Sequence, residues 1–250
     1  MKEPVDVSVV VPCYNEQDAL PALFGRLRGL MEERGRRWEA IFVDDGSTDS
    51  TAAVLEAEVS RTQWMRIVRH QVNRGVGAAL RTGFAAAGAP VICTIDSDCT
   101  YPPERLPELV ERLGAGADLV TASPWHPANR HVDGGLLRTT LSRGASLAYR
   151  LLTGVKVHTA SSIFRAYRRE AIERIEFDSS GFPAVTEILI RGALAGFRIV
   201  EIPMPLARRR HGRSKMSLGQ ALAGHLKLLR LAAGWARAAR RERERRQRPS

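Results

Sequence analysis

Apolar and polar positions along the chain follow two periods in turn. Short runs rich in β-branched residues (5–11, 40–43, 65–68, 91–95 and 118–121) read as strands. Between them lie stretches with helical spacing. Over residues 18–33, Leu20, Leu23, Leu27, Leu30 and Met31 fall on one face, and further helices are predicted from Asp49 or Ser50, over 75–87, and from Pro102-Pro103 to about 114. Strands that alternate with helices predict βαβ units around a mostly parallel sheet flanked by helices.

The texture changes after Ala122. Pro124-Trp125-His126-Pro127 and Asp133-Gly134-Gly135 mark a loop, followed by a helix over 136–152. Strands are expected at 162–167 and at 199–202 ahead of Pro203, with a helix over 186–195 between them. From Ser217 the chain reads as one long helix striped by Leu218, Leu222, Leu226, Leu229 and Ala233, ending in a basic tail. The expected organisation is an α/β domain over 1–216 and an amphipathic helix with its tail over 217–250.

Ligands of open parallel sheets bind outside the carboxyl ends of the strands. The polar clusters sit at those ends: Tyr14-Asn15-Glu16 after the first strand, Asp44-Asp45-Gly46-Ser47 after the second, Asp96-Ser97-Asp98 after the fourth. One residue separates Asp96 from Asp98 in a turn, so both carboxylates can approach one cation. Mg²⁺ is commonly held by one or two carboxylates plus substrate phosphates, which suits a metal-bridged diphosphate. Asp45 can accept from a nucleobase and Glu16 from a ribose, while Tyr14 offers a packing surface. Asn73-Arg74-Gly75-Val76-Gly77 contains a G-x-G, a weak phosphate-loop signal, and the chain has no G-x-x-x-x-G-K-[ST].

Charge adds a partner class. The net charge is +11, carried by 34 Arg and four Lys, which favours phosphates: a nucleotide diphosphate, a lipid phosphate or an anionic membrane. A nucleic-acid partner is not expected, because no RNP motif, zinc-finger spacing or aromatic-rich basic sheet accompanies the charge. Cys13, Cys93 and Cys99 are too few and scattered for a disulfide framework or a Cys-rich zinc site. No signal peptide is recognisable and no run approaches the roughly 20 apolar residues needed to span a bilayer. These features lead us to expect a cytoplasmic protein in peripheral contact with a membrane through its last helix, where Leu218, Leu222, Leu226, Leu229 and Trp235 accompany Lys227, Arg230 and the Arg tail.

Taken together, Pro12-Cys13-Tyr14-Asn15-Glu16, Asp44-Asp45-Gly46-Ser47-Thr48-Asp49, Asn73-Arg74-Gly75 with Gly83, and Asp96-Ser97-Asp98 with Tyr101-Pro102-Pro103-Glu104 resemble family-2 inverting glycosyltransferases of the Rossmann-like GT-A fold. Arg209-Arg210-His211-Gly212-Arg213-Ser214-Lys215 resembles the R-x-x-G-x-S-K signature of the polyprenyl-phosphate (dolichol-phosphate) mannosyltransferase branch. The resemblance implies that Pro12, Tyr14, Glu16, Val43 and Asp45 hold the nucleoside. Asp96, Ser97 and Asp98 would bind the nucleotide-sugar diphosphate, Asp96 and Asp98 with Mg²⁺ or Mn²⁺, and Arg209 and Lys215 would contact the phosphates. The implied reaction moves a sugar from a nucleotide-diphosphate donor such as GDP-mannose to a polyprenyl monophosphate.

The pattern departs from that branch at three places. Thr100 stands where Gln is frequent, Ser123-Pro124-Trp125 lacks the Arg of G-[ST]-R-Y, and Thr159-Ala160-Ser161-Ser162-Ile163-Phe164-Arg165 replaces D-x-T-S-G-F-R. These positions surround the sugar and acceptor side, which leaves two acceptors open. An anionic lipid phosphate needs little general-base help, and Arg130, Arg138 and Arg143 are candidates to hold it. A hydroxyl acceptor, with a donor such as a UDP-sugar, requires a carboxylate base, for which Glu187 is the candidate. A catalytically silent sugar-nucleotide-binding protein is the alternative outside this class.

Overall fold

A computed structural model describes residues 4–32, 35–129, 136–206 and 218–247. Its strands are β1 (Val7–Cys13), β2 (Trp38–Asp44), β3 (Met65–Arg69), β4 (Val91–Thr94), β5 (Leu119–Ser123), β6 (Arg165–Arg168) and β7 (Ile199–Pro203). Its helices are α1 (Leu20–Met31), α2 (Thr51–Val59), α3 (Val76–Ala86), α4 (Leu106–Gly114), α5 (Leu136–Thr153), the single-turn α6 (Arg169–Ile172), α7 (Pro183–Leu194) and α8 (Leu218–Gln247). One sheet takes all the strands in the order β3-β2-β1-β4-β6-β5-β7. Strand β1 pairs parallel with β2 and with β4, and β2 pairs parallel with β3. Strand β6 enters antiparallel between β4 and β5, and β7 runs parallel to β5. The fold is the mostly parallel α/β sheet expected of GT-A proteins.

Alternation along β1 builds the two faces. Val9 and Val11 pack with Leu20, Leu23 and Leu27 of α1 and Leu109 of α4, whereas Val10 packs with Ala79 and Leu80 of α3 and Ile188 of α7. With helices on both faces β2 is buried throughout and β1 at every residue but Pro12, which is why they read as continuous apolar runs. The five apolar residues assigned to the face of the first helix are all buried.

Some boundaries moved for physical reasons. Strand β1 runs through Pro12 to Cys13 instead of stopping at Pro12. Val10 O accepts from Ile95 N on the β4 side, so the missing N–H of Pro12, two residues on, also faces that side. The β4 pairing ends at Val10–Thr94, and no ladder bond is left unmade there.

The last helix packs out of phase with its expected stripe. Among the described side chains of α8, Leu228, Ala232 and Ala236 are buried. Leu228 and Ala232 join Tyr149 of α5 and Leu189 and Ile190 of α7 in one cluster, with Leu229 and Trp235 packed beside it. Leu226 is 52% exposed; the side chains of Leu218 and Leu222 lie outside those described. No described helix is long and apolar enough to cross a membrane. All three cysteines are free thiols.

Segment 179–181 is pressed against the start of α3 by two glycines. Gly75 has φ +87°, and a Cβ there would come 2.5 Å from Ser180 O; a Cβ on Gly77 would come 2.1 Å from Ser179 O. The Gly77 amide donates to Ser180 O at 2.6 Å. Gly77→Ala is therefore expected to lower stability by about 1–3 kcal/mol through overpacking. Urea denaturation checks this, and an unchanged midpoint would mean the segment does not pack there.

Candidate active site

Strand β1 is the point where the sheet order reverses: its first crossover leads to β2, and the chain later returns to β4 on the other side. The crevice such a reversal opens lies at the carboxyl ends of β1 and β4. A cavity of about 410 Å³ occupies that place. Pro12, Tyr14, Glu16 and Asp45 line it with Asn73, Val76 and Ala79 from the start of α3, as do Asp96, Ser97 and Asp98 with Thr100 and Tyr101. Pro124, Trp125, Ser142, Thr159, Ser161, Ser162, Phe182 and Leu206 form the remaining wall. The three polar clusters read at strand ends thus converge on one cleft.

The loops that carry these residues are locked to each other. Asn15 adopts φ +53°, a left-handed conformation that Asn tolerates better than most residues. Its amide donates to Ser47 Oγ at 3.0 Å, and its side-chain oxygen accepts from Thr48 N at 2.7 Å. The Glu16 amide donates to Thr51 Oγ1 at 2.7 Å. The loop after β1 and the loop after β2 are therefore one hydrogen-bonded unit. Cys99, next to Asp98, is the other described non-glycine residue with positive φ, at +55°. Asp98 Oδ1 accepts from the Thr100 amide at 2.9 Å, closing the turn. Arg26 of α1 forms a bidentate pair with Glu104 at 2.7 and 2.6 Å, which fastens the segment following this turn. Tyr101 stacks on Phe164 at 5.2 Å between centroids, and burial pushes its phenol up.

Asp45 is buried and heavily engaged. Its Oδ1 lies 2.6 Å from His70 Nδ1 and accepts the Arg74 amide at 3.0 Å, while Oδ2 accepts the Gly75 amide at 2.7 Å. His70 Nε2 lies 2.9 Å from Thr82 Oγ1. A carboxylate offers about four acceptor positions, so three bonds leave Asp45 about one for a ligand.

Beside the cleft-lining segment 159–163, Arg165 is fully buried with no carboxylate partner among its described bonds. Its guanidinium donates to Thr121 Oγ1 at 3.3 Å, to Ala160 O at 2.8 Å and to Val185 O. Burial lowers its pKa from the ordinary value. Those bonds shape the segment 159–163 that lines the cleft. Ser123 Oγ and Thr159 Oγ1 share a hydrogen bond of 2.6 Å, and Trp125 Nε1 donates to Ser142 Oγ at 3.2 Å. The departures from the mannosyltransferase pattern at Thr100, at Pro124 and at 159 and 161–163 all line the cleft.

The sequence profile of "Glycosyl transferase family 2" matches residues 8–176. This chain belongs to that family. It is 33% identical over 216 residues to the polyprenol monophosphomannose synthase of Mycolicibacterium smegmatis, covering 84% of this glycosyltransferase and 80% of that protein. The dolichol-phosphate mannosyltransferase of Pyrococcus furiosus is 30% identical over 92% of the chain, which spans 64% of that relative's length. The undecaprenyl-phosphate 4-deoxy-4-formamido-L-arabinose transferase of Salmonella paratyphi A is 34% identical over 84% of the chain, and 62% of that relative is covered. Among solved structures, glucosyl-3-phosphoglycerate synthase of Mycobacterium tuberculosis, in complex with Mn²⁺ and UDP-glucose, superposes with a TM-score of 0.71 at 24% identity, over 93% of this chain and 79% of that one. This last likeness establishes the shared fold.

Several residues expected at the site stand elsewhere. Val43 is wholly buried in β2 and packs in the core with Val10, one position before Asp44 and away from the cleft lining. Arg143 is exposed on α5 and does not line the cleft, although its neighbour Ser142 does. Arg138 lies on α5 with its side chain outside those described; Arg130, Arg209 and Lys215 lie outside the described residues.

Glu187 of the family-2 enzyme is buried in α7 and does not line this cleft. Its side chain is 1% exposed and accepts from Arg191 Nε at 2.8 Å and from the Asp178 and Ser179 amides at 3.3 and 3.0 Å. Burial pushes its carboxyl up, but the Ser179 hydroxyl and amide, the Asp178 amide and Arg191 outweigh this and hold it below the ordinary range. A carboxylate so engaged is a poor proton acceptor and does not line the cavity. What helical spacing could not show was which way α7 turns this side chain; the Arg at i+4 was the one available signal.

Glu187→Gln is expected to destabilise the fold by about 1–3 kcal/mol. Because the native pKa is lowered, this stabilisation is present above the unfolded value of about 4.3 and is lost as pH falls through the native one. The gap between wild type and variant in urea should therefore be open at neutral pH and narrow below about pH 4. A gap independent of pH would contradict the assignment.

Proposed function

We propose that this glycosyltransferase moves a sugar, with GDP-mannose as the leading donor, onto a polyprenyl monophosphate at a membrane surface. The observation that carries this reading is the absence of Glu187 from a cleft that otherwise gathers Tyr14, Glu16, Asp45, Asp96 and Asp98. A hydroxyl acceptor requires a base, and the carboxylate nominated for it is sequestered. A phosphate monoester arrives anionic and requires none. Similarity to two enzymes named for polyprenol- or dolichol-phosphate mannose transfer supports the same acceptor.

In this reading Tyr14 packs against the nucleoside, Glu16 accepts from the ribose and the remaining acceptor position of Asp45 meets the base. Pro12 supplies the adjoining cleft surface, and Ser97 at the centre of the turn lies beside the diphosphate. Asp96 and Asp98 are hard oxygen donors, and the described residues contain no third His, Cys, Asp or Glu grouped with them to complete a metal cage. Such a pair fits an ion whose remaining positions are taken by substrate phosphates, Mg²⁺ or Mn²⁺. When bound, that ion would neutralise charge on the departing diphosphate. Arg209 and Lys215 are assigned the same electrostatic task from their sequence motif. An acceptor phosphate oxygen forms the new bond to the anomeric carbon as the bond to the nucleoside diphosphate breaks, with inversion at that carbon. The chain's contribution is to align these groups and to hold cations and amides around developing negative charge. Arg130 and Arg138 remain candidates to guide the acceptor phosphate.

The surface of two packed helices supports a membrane setting. Leu147 and Leu151 of α5 are 53% and 76% exposed, and Leu226 and Leu231 of α8 are 52% and 43% exposed. Arg143, Arg150, Lys227 and Arg230 are exposed on the same two helices. Leucines in solvent beside cations suit the interface of an anionic bilayer. The buried residues of α8 make its removal a poor test, so the exposed ones are the ones to change.

Purified protein with GDP-mannose, a polyprenyl phosphate and Mg²⁺ or Mn²⁺ is expected to give polyprenyl-phosphate mannose. EDTA should abolish transfer, and Asp98→Ala should lower it by at least about 100-fold, or roughly 2.7 kcal/mol of barrier. Full activity without both carboxylates would sink the mechanism, and transfer only to soluble hydroxyl acceptors would reject the acceptor. Replacing Leu147, Leu151, Leu226 and Leu231 by Ser should reduce cosedimentation with anionic vesicles; unchanged binding would show that another surface makes the contact.

A further inference from the structure

Two histidines outside every motif meet beside the acceptor-side wall of the cleft. The rings of His126 and His158 stand edge to face, with centroids 5.8 Å apart and planes at 67°. His126 follows Trp125 and His158 precedes Thr159, both of which line the cleft. Both histidines are half-buried, which puts them at the margin of that wall. Position 124, where the resembled branch carries Arg, is proline, so that stretch of wall has no guanidinium.

One nitrogen of each ring is already committed. His158 Nδ1 lies 2.7 Å from Oε2 of Glu201 on β7, a side chain only 6% exposed. The same carboxylate accepts the His158 and Thr159 amides, each at 2.8 Å. A carboxylate can only accept here, so Nδ1 carries the hydrogen and Nε2 is the atom left for a ligand. His126 Nδ1 accepts the Ala128 amide at 3.1 Å, which puts the ring hydrogen on Nε2. Among the described residues no hydrogen bond engages either Nε2.

This pattern suits an oxyanion better than a metal. A metal ligand needs a lone pair on the nitrogen, and His126 Nε2 bears hydrogen instead. His126 Nε2–H can donate to a phosphate oxygen. His158 Nε2 can donate as imidazolium or accept from a protonated phosphate oxygen when neutral. A phosphate monoester, with a second pKa of about 6, offers both kinds of oxygen near neutrality. Trp125 Nε1 donates to Ser142 Oγ of α5, so this wall is tied to the helix that exposes Leu147 and Leu151. Those leucines lie roughly 7 and 13 Å along the helix from Ser142, within reach of the first isoprene units of a lipid.

We propose that His126 and His158, the latter oriented by Glu201, form the subsite that takes the phosphate monoester of the acceptor. The proposal rests on the polyprenyl-phosphate reading, and its test separates the two. With GDP-mannose as donor and farnesyl phosphate as acceptor, KM for each is measured in wild type, His126→Ala, His126→Arg and His158→Asn. The Asn amide keeps a donor for Glu201 but has no counterpart of Nε2. The acceptor KM should rise about 10-fold in His126→Ala and in His158→Asn, and recover in His126→Arg. Donor KM and the urea midpoint should not move. An unchanged acceptor KM, or an equal rise in donor KM, would overturn the subsite.

Binding is read independently of turnover from the imidazole ¹⁵N shifts of wild type titrated with farnesyl phosphate or inorganic phosphate. His126 and His158 should respond to farnesyl phosphate at concentrations at least about 10-fold lower than to inorganic phosphate. Equal potency would make the pair a free-phosphate site and overturn the acceptor role. Shifts without any transfer to polyprenyl phosphate would retain the anion subsite and reject the reading beneath it. Transfer without shifts, and with unaffected variants, would reject the subsite and leave the reading standing.

Discussion

Strand β1 lies between two strands that both run parallel to it, and the chain must cover the sheet from both sides to make that possible. Its crossovers part at the carboxyl ends of β1 and β4, where no strand pairing fills the space. The cleft is therefore a consequence of topology before it is a feature of any side chain. Val9, Val10 and Val11 are wholly buried, which holds the strand rigid up to the point where Pro12 and Tyr14 turn into the cleft. The position of every polar group at the site is referred to this strand.

A rigid floor alone would leave the loops loose. They are restrained by polar bonds that run between loops instead of within them. Asn15 ties the end of β1 to the loop after β2, and Asp45 ties that loop to the start of α3 through the Arg74 and Gly75 amides. Gly75 and Gly77 in turn let segment 179–181 close on α3, and Glu187 holds the Asp178 and Ser179 amides just before it. Arg191, which pairs with Glu187, also lies over the Trp235 ring of α8 at 4.3 Å. A continuous set of contacts thus joins the nucleotide side of the cleft to the helix proposed to meet the membrane.

Much of this was legible in the sequence. Continuous β-branched runs located the strands of the first half, because the central ones are buried on both faces, and period-3.6 spacing located helices such as α1 and α4 that bury one apolar face. The polar triplets after β1, β2 and β4 pointed to the cleft for the same topological reason. What stayed hidden depends on orientation or on long sequence separation. The run ending at Tyr167 carries no sign of its antiparallel direction, and nothing marks Arg165 as a wholly buried cation. Glu187 was the candidate base because it stands roughly where related hydroxyl-using transferases carry an acidic residue, and a position along the chain does not say which way a carboxylate faces. His158 and Glu201 are 43 residues apart and belong to no motif. The last helix kept its amphipathic character but turned Leu228 and Ala232 to the core, leaving Leu226 outside.

The central claim is that the cleft at the β1–β4 reversal binds a sugar nucleotide through the aspartates of Asp96-Ser97-Asp98. Calorimetric titration of GDP and GDP-mannose, with and without Mg²⁺ or Mn²⁺, tests it most directly, using wild type and the Asp96→Asn/Asp98→Asn double variant. The account predicts binding that metal strengthens at least about 10-fold in wild type, and no such strengthening in a double variant that still unfolds cooperatively. Equal, metal-dependent binding by both proteins would contradict it.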